Sequence, residues 1–181
     1  AGMLSGKPGI VTLHMGDSDK RLEPVFQALS ESEIPVTIFR PTHVNRNPGL
    51  LSEAFEYLDM GGYIDLTCMS NSDLAPGLCV KKAIEQGLPV EHITISSDGH
   101  GSWSNYGEDG RLLEIGVSGV DALWKELVNM VKKQEADAFV SSGSTGAVLV
   151  GGQVLVGRSK GVERPPLAPL IPTTKGVSLL I

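Results

Sequence analysis

Three residues of metal-ligand type fall at matching places in the chain: His14 in "TLHMGD", His43 in "RPTHVNR" and Asp98 in "ISSDGHGS". Each closes or closely follows a short β-type run. Neutral imidazoles and a carboxylate suit zinc, and a catalytic zinc keeps one position open for water or substrate. Each also has a plainer reading, as a satisfied polar residue at a strand end. Arg46, just after His43, is either a solvated cation or a planar fork for a substrate carboxylate. His92 sits at the entry end of its run and reads as a surface residue, and His100 as a loop donor. A chemically different group lies at Ser144, Thr145 and Gly146 in "SSGSTGA". A Ser/Thr/Gly loop between a strand and a helix aims N–H groups and hydroxyls at one point, which can hold an anion. The alternative is a tight turn with a Ser/Thr cap. The loop matches neither GK[ST] nor GxGxxG.

These residues need elements to carry them. Gly9–His14, Pro35–Phe39, Tyr63–Cys68 and His92–Ser97 are strand candidates. Between them lie amphipathic stripes at helical spacing: Leu22, Val25, Phe26 and Leu29 within Asp19–Ser30, then Leu51, Ala54, Phe55 and Leu58, then a helix over Ala75–Gln86. A polar, Gly-rich stretch from Asp98 to Gly110 reads as a loop. It precedes a helix with the stripe Val120, Leu123, Trp124, Leu127 and Val131. Repeated βα units imply a parallel sheet, since each crossover returns the chain to the same end. Val, Ile, Leu and Thr in the strands imply that both faces are covered. The fold class is therefore α/β, and the carboxyl ends of its strands are where a site belongs. His14, His43 and Asp98 all fall there.

Beyond Lys133 come a strand at "DAFVSS", a helix over Thr145–Val156 and the Pro/Gly-rich "GRSKGVERPPLAPLIPTTKG". Its prolines exclude a helix interior or a central strand, so it reads as a loop. The last residues, "KGVSLLI", read as an apolar strand, and the chain reads as a fragment at both ends.

Composition sets limits. Of 181 residues, 41% are apolar and 20% charged, which suits one or two globular units rather than disorder. A net charge of −6 argues against nucleic acid or anionic membranes as partners. No apolar run is long enough to cross a bilayer, and no secretory leader pattern is present. Two cysteines, Cys68 and Cys79, without a CxxC pair, fit a reducing, cytoplasmic setting.

The stretches "GKPGIVTLHMGD", "PTHVNRNPGLL", "GGYIDLT" and "ITISSDGHGS", in that order, resemble isoaspartyl (β-aspartyl) dipeptidase of the amidohydrolase superfamily. The resemblance runs from about Gly6 to Lys133. It implies the C-terminal half of a TIM-like (β/α) barrel, occupying residues 1–133. It further implies a two-zinc site in which His14 and His43 ligate one zinc. Asp98 would bind the other and act as the catalytic acid/base. Arg46 and Ser102 would hold the carboxylate end of a dipeptide substrate. The reaction implied is hydrolysis of a β-aspartyl isopeptide bond, and the family forms homo-oligomers. The resemblance places the family's HxH pair and bridging carboxylated lysine in a half of the barrel that would lie before Ala1, and the chain contains no HxH.

From about Glu135 to Ile181, "EADAFVSSGSTGA" and "KGVERPPLAPLIPTTKG" resemble a bacterial phosphate acyltransferase of phospholipid synthesis. This implies a short Rossmann-like α/β fragment over residues 134–181. It also implies a phosphate role for Ser144, Thr145 and Gly146, and acyl carrier protein as partner. The change from one resemblance to the other falls between Val131 and Glu135.

Overall fold

The structure is a computed structural model. It describes residues 6–7, 9–68, 72–137, 145–158, 160–163, 170–174 and 176–179. The chain forms two compact units, Ala1–Glu126 and Leu127–Ile181.

The first unit is built on β1 (Val11–His14), β2 (Phe39–Thr42), β3 (Ile64–Thr67) and β4 (Ile93–Ser96). They form one parallel sheet in the order β1-β2-β3-β4. The helices α1 (Glu23–Ser30), α2 (Pro48–Asp59) and α3 (Pro76–Glu85) make the crossovers. The α/β class with a parallel sheet therefore holds.

Local chemistry sets each helix start. A proline opens all three helices, where its missing N–H costs nothing. Asn47 caps α2, its Oδ1 accepting from Leu50 N at 2.8 Å. No side chain of its own caps α1. Glu53, one turn into α2, supplies the cap: its carboxylate accepts from Leu22 N at 2.9 Å and pairs with Arg21 at 3.1 Å. Glu126 does the same for α3, accepting from Gly77 N at 2.9 Å.

The two faces of the sheet differ. Register pairs Thr12 with Arg40, His14 with Thr42, Thr42 with Asp65, Asp65 with Thr94 and Thr67 with Ser96. Side chains alternate along a strand, so these eight polar residues share one face. Val11, Leu13, Phe39, Pro41, Ile64, Leu66, Ile93 and Ile95 occupy the other. The core lies on that apolar side: Leu22, Leu50, Ala54, Leu58, Ile64 and Leu66 are fully buried, with Leu13, Phe39, Ile93 and Ile95 packed against them. Each such Leu or Ile stabilises by about 1.5–3 kcal/mol. The other face is polar, yet it too is covered at Thr42, Asp65 and Thr67, which are all buried.

Two further expectations change. The second strand is Phe39–Thr42, not Pro35–Phe39, because Pro35 opens a single 3-10 turn over Val36–Ile38. The stretch from Asp98 to Gly110 is not all loop: β5 (Ser102–Tyr106) pairs antiparallel with β6 (Leu112–Val117) as a two-stranded hairpin. The sequence reading passed over this hairpin because β5 is rich in Ser, Asn and Trp without an apolar alternation.

The helix α4 (Asp121–Lys132) forms where expected, but its buried residues are Val128 and Met130; Leu123, Trp124, Leu127 and Val131 of the expected stripe are half-buried, and Val120 precedes the helix and is exposed. In the second unit, α5 (Thr145–Val150) runs into a π-helical turn, Gly151–Val156, ended by Gly157 at φ +101°. The strand expected at "DAFVSS" lies largely outside the described residues. The strands β7 (Leu170–Thr173) and β8 (Gly176–Leu179) pair antiparallel. Thr173 and Pro172 thus lie in a strand where a loop was expected. A proline is tolerated there because a two-stranded ribbon has only edge strands. No helix among the described residues is long and apolar enough to cross a membrane.

Candidate functional site

The carboxyl rim of the β1–β4 sheet brings His14 and His43 together. His14 ends β1, and His43 follows β2 directly in a left-handed turn at φ +64°. Their rings face one another, with His14 Nδ1 3.1 Å from His43 Nε2 and centroids 5.1 Å apart. Two imidazole nitrogens bound to one zinc at about 2.0–2.1 Å and a tetrahedral angle stand about 3.3–3.4 Å apart. The observed spacing therefore suits either a hydrogen bond between neutral rings or two ligands of one cation.

The far side of the His43 ring is fixed. Its Nδ1 lies 2.8 Å from Thr67 Oγ1 at the end of β3. A second partner of this kind holds a ligating imidazole in one tautomer and orientation. His43 is 6% exposed, and burial holds its pKa below the ordinary histidine value. Asp98 opposes that shift, and Arg46 and His14 reinforce it.

Asp98 follows β4 and is half-buried, in a turn where Asp98 (φ +49°) and His100 (φ +67°) are both left-handed. Gly101 N donates to Asp98 O at 2.8 Å, and the carboxyl group lies over Gly101, where any Cβ would meet it at 2.7 Å. Left-handed non-glycine residues cost about 1–3 kcal/mol each and gather at functional sites. Three of the five among the described residues stand on this rim. Still, among the described residues no group of three or more His, Cys, Asp or Glu side chains is disposed to hold a metal. Two expected ligands are brought together; the third stands near without completing a cluster.

Arg46 lies one turn beyond His43, its N donating to His43 O at 3.1 Å. Its Nε is buried and has no hydrogen-bond partner. Ser102 begins β5 and is exposed. Of the phosphate-loop candidates, Ser144 lies outside the described residues, Thr145 is the first residue of α5, and Gly146 is exposed in its first turn. His92 is not simply a surface residue: its ring stacks on Tyr63 at 4.0 Å, and its Nδ1 lies 3.1 Å from Gly62 O. Arg40 also approaches that Tyr63 ring, with its guanidinium 5.2 Å from the centroid.

Sequence reasoning missed the polar residues beneath the rim. Asp65 is buried and accepts from three hydroxyls, Thr42, Thr94 and Ser96, each at 2.7 Å. It also raises the pKa of His43, though less than burial lowers it. Asn45 is 1% exposed and bonds the backbone of Thr67. For Asp65, Thr94 and Ser96 the signal was present as period-two alternation of polar residues in "YIDLTC" and "HITISS"; nothing of the kind marks the contact of Asn45 with Thr67.

Comparison with known proteins gives two likenesses. Residues 118–181 match the family model described as "Fatty acid synthesis protein". Over 54 residues the chain is 50% identical to the phosphate acyltransferase of Alkaliphilus oremlandii and 54% identical to that of Shouchella clausii. Each match covers 30% of this chain and 16% of the relative. Among solved structures it is similar to the β-aspartyl dipeptidase of Fervidobacterium islandicum AW-1 in complex with a β-Asp-Leu dipeptide. That match has a TM-score of 0.67 and 32% identity, covering 82% of this chain and 37% of that one. A second structure of that enzyme gives 0.60 and 31%. The chain thus resembles two enzyme families, and spans less than two-fifths of the dipeptidase and about one-sixth of the acyltransferases. The two matches together exceed the chain's length, so they overlap within residues 118–181.

Proposed function

We propose that residues 1–133 are part of a β-aspartyl-dipeptidase-type barrel and that its carboxyl rim serves hydrolysis of β-aspartyl dipeptides. The observation that carries this reading is the facing of His14 Nδ1 and His43 Nε2 at 3.1 Å, with His43 held from behind by Thr67. His14 and His43 would hold one zinc, with Asp98 beside it; where the family has a second zinc, this chain has no HxH to bind it. Zinc, when bound, supplies Lewis-acid polarisation of the scissile carbonyl and lowers the pKa of water.

The chain's own groups do the rest. Arg46 and Ser102 would bind the substrate's carboxylate end, and the unpartnered Arg46 Nε suits that task. The Asp98 carboxylate would accept a proton from the attacking water. As the C–N bond breaks, it would return that proton to the leaving amine nitrogen. With only two facing imidazoles, the chain alone is expected to bind one zinc and to turn over slowly or not at all. Zinc analysis after dialysis, with β-Asp-Leu hydrolysis and a His14→Ala control, tests the reading. Zinc content equal in wild type and His14→Ala sinks it. A cytoplasmic setting and self-association belong to the same reading.

A second reading concerns residues 134–181, favoured by the family match over 118–181. We infer a phosphate acyltransferase segment, with acyl carrier protein as donor and Ser144, Thr145 and Gly146 toward phosphate. Only a small share of such an enzyme is present, so an acyl-phosphate assay with this chain is expected to give no product. The pairing of two such pieces fits a join at a helix common to both parents. Reads of the coding DNA spanning codons 130–137 test that; an uninterrupted genomic read in independent isolates removes the artificial-join explanation.

A further inference from the structure

We propose that Asn45 is a positioning residue of the His14–His43 pair and acts through Thr67. The inference rests on reading that pair as a divalent-cation site.

After Thr42 the chain turns left-handed at His43 and leaves the ladder it shared with β3. The last backbone link is a long one, Val44 N to Asp65 O at 3.4 Å. The Asn45 side chain takes over from there. Its Oδ1 accepts from Thr67 N at 2.9 Å, and its Nδ2 donates to Thr67 O at 2.9 Å and to Leu74 O at 2.9 Å. The side-chain amide thus pairs with Thr67 as a strand neighbour would. Its orientation is fixed by chemistry, since the flipped amide would set oxygen against two carbonyls and NH₂ against an N–H.

Thr67 is consequently held on both flanks, by Asn45 on one and by its pairing with Ser96 on the other. The next residue extends the second flank, Cys68 N donating to Ser96 O at 2.9 Å. A β-branched side chain on a fixed backbone has little χ1 freedom. Thr67 Oγ1 is therefore a fixed point, and His43 Nδ1 meets it at 2.8 Å. With Nδ1–H donating to that oxygen, the lone pair of Nε2 is left facing His14. The sequence "THVNR" thus carries its ligand candidate and the residue that aims it, joined through a different strand.

Cobalt(II) is titrated into the full chain and its variants, with far-UV circular dichroism as the folding control. Thr67→Val, which keeps the shape and removes the oxygen, is expected to weaken cobalt affinity about 10–100-fold, while Thr67→Ser stays within about threefold of wild type. Asn45→Asp is expected to match Thr67→Val. Wild-type cobalt affinity in folded Thr67→Val overturns the proposal whether or not an Asn45 variant folds, and so does wild-type affinity in folded Asn45→Asp.

If the unaltered chain takes up no cobalt, the cation-site reading fails by itself. Positioning is then read from the metal-free His43 ring in long-range ¹H–¹⁵N spectra. A single tautomer protonated at Nδ1, becoming a mixture in Thr67→Val, supports it. The same tautomer population in both proteins overturns it.

Discussion

At the β2–β3 end of the rim, His43, Thr67, Thr42 and Asp65 are all buried, and each meets a partner through short hydrogen bonds. At the β4–β5 end, Asp98 is half-buried on a left-handed turn, and every residue of β5 is exposed. Both ends carry residues proposed for one chemistry. The first is held by the same bonds that hold the sheet, and the second by a short turn and a two-stranded ribbon. Such ribbons are marginal on their own. Ligand geometry at the first end should therefore be inseparable from stability, while the second end should be free to change without unfolding the protein.

The strongest test of that contrast compares two aspartates. Asp65→Ala removes an acceptor shared by three hydroxyls in a buried place and should cost about 2–4 kcal/mol. Asp98→Ala should cost under about 0.5 kcal/mol. Urea denaturation of both variants reads the difference, and equal losses would break the comparison.

Two glycines sharpen it. A Cβ at Gly62 would collide with the ring of Tyr57, which is fully buried and whose one hydroxyl proton lies within reach of both Val36 O and Phe39 O. That ring cannot retreat, so Gly62→Ala should cost about 1–3 kcal/mol. At Gly101 the new methyl would meet the movable Asp98 carboxyl group. Gly101→Ala should cost less than about 1 kcal/mol in the same titration, the carboxyl swinging aside.

Acid supplies a third probe. Burial depresses the pKa of His43, so the unfolded chain binds a proton at a pH where the folded chain does not. The resulting stability is present above about pH 6.5 and is lost as pH falls from there through the folded value. Asp98 counteracts the depression. Asp98→Asn should therefore steepen the loss, and thermal midpoints between pH 7.5 and 5, about the ordinary histidine pKa, would show it. An unchanged slope would mean that the two ends do not communicate.

The smallest effect is expected at the thiols. Burial pushes Cys68 and Cys79 both up to about 11. Alkylation at pH 8 should be slow for both, and slower for the fully buried Cys79.

The first two helices were legible in the sequence because their stripes repeat at helical spacing, although the first begins at Glu23 rather than Asp19. His14, His43 and Asp98 were legible as strand-end residues by the α/β rule. The second strand was misplaced for a physical reason. "PVTIF" is apolar and looks buried, whereas the paired residues are "FRPT", half of them polar. Arg40 and Thr42 belong to a polar sheet face that an all-apolar model of parallel strands does not anticipate. Asn45 and Thr67 escaped for another reason. Their contact joins residues 22 positions apart, and no local spacing rule reports a side chain standing in for a strand.

The alternation of the sheet also bears on which genetic changes the protein survives. Because one face is polar and the other apolar, shifting β3 by one residue would carry Asp65 and Thr67 into the helix-packed side and push Ile64 and Leu66 out. A single-codon insertion or deletion between codons 63 and 68 should therefore be far more damaging than most substitutions there. Length variation should be less damaging in the Gly107–Gly110 turn of the hairpin, where a change disturbs only the turn's own bonds, Gly107 N to Arg111 O and Gly110 N to Gly107 O at 2.9 Å each, and exposed strands.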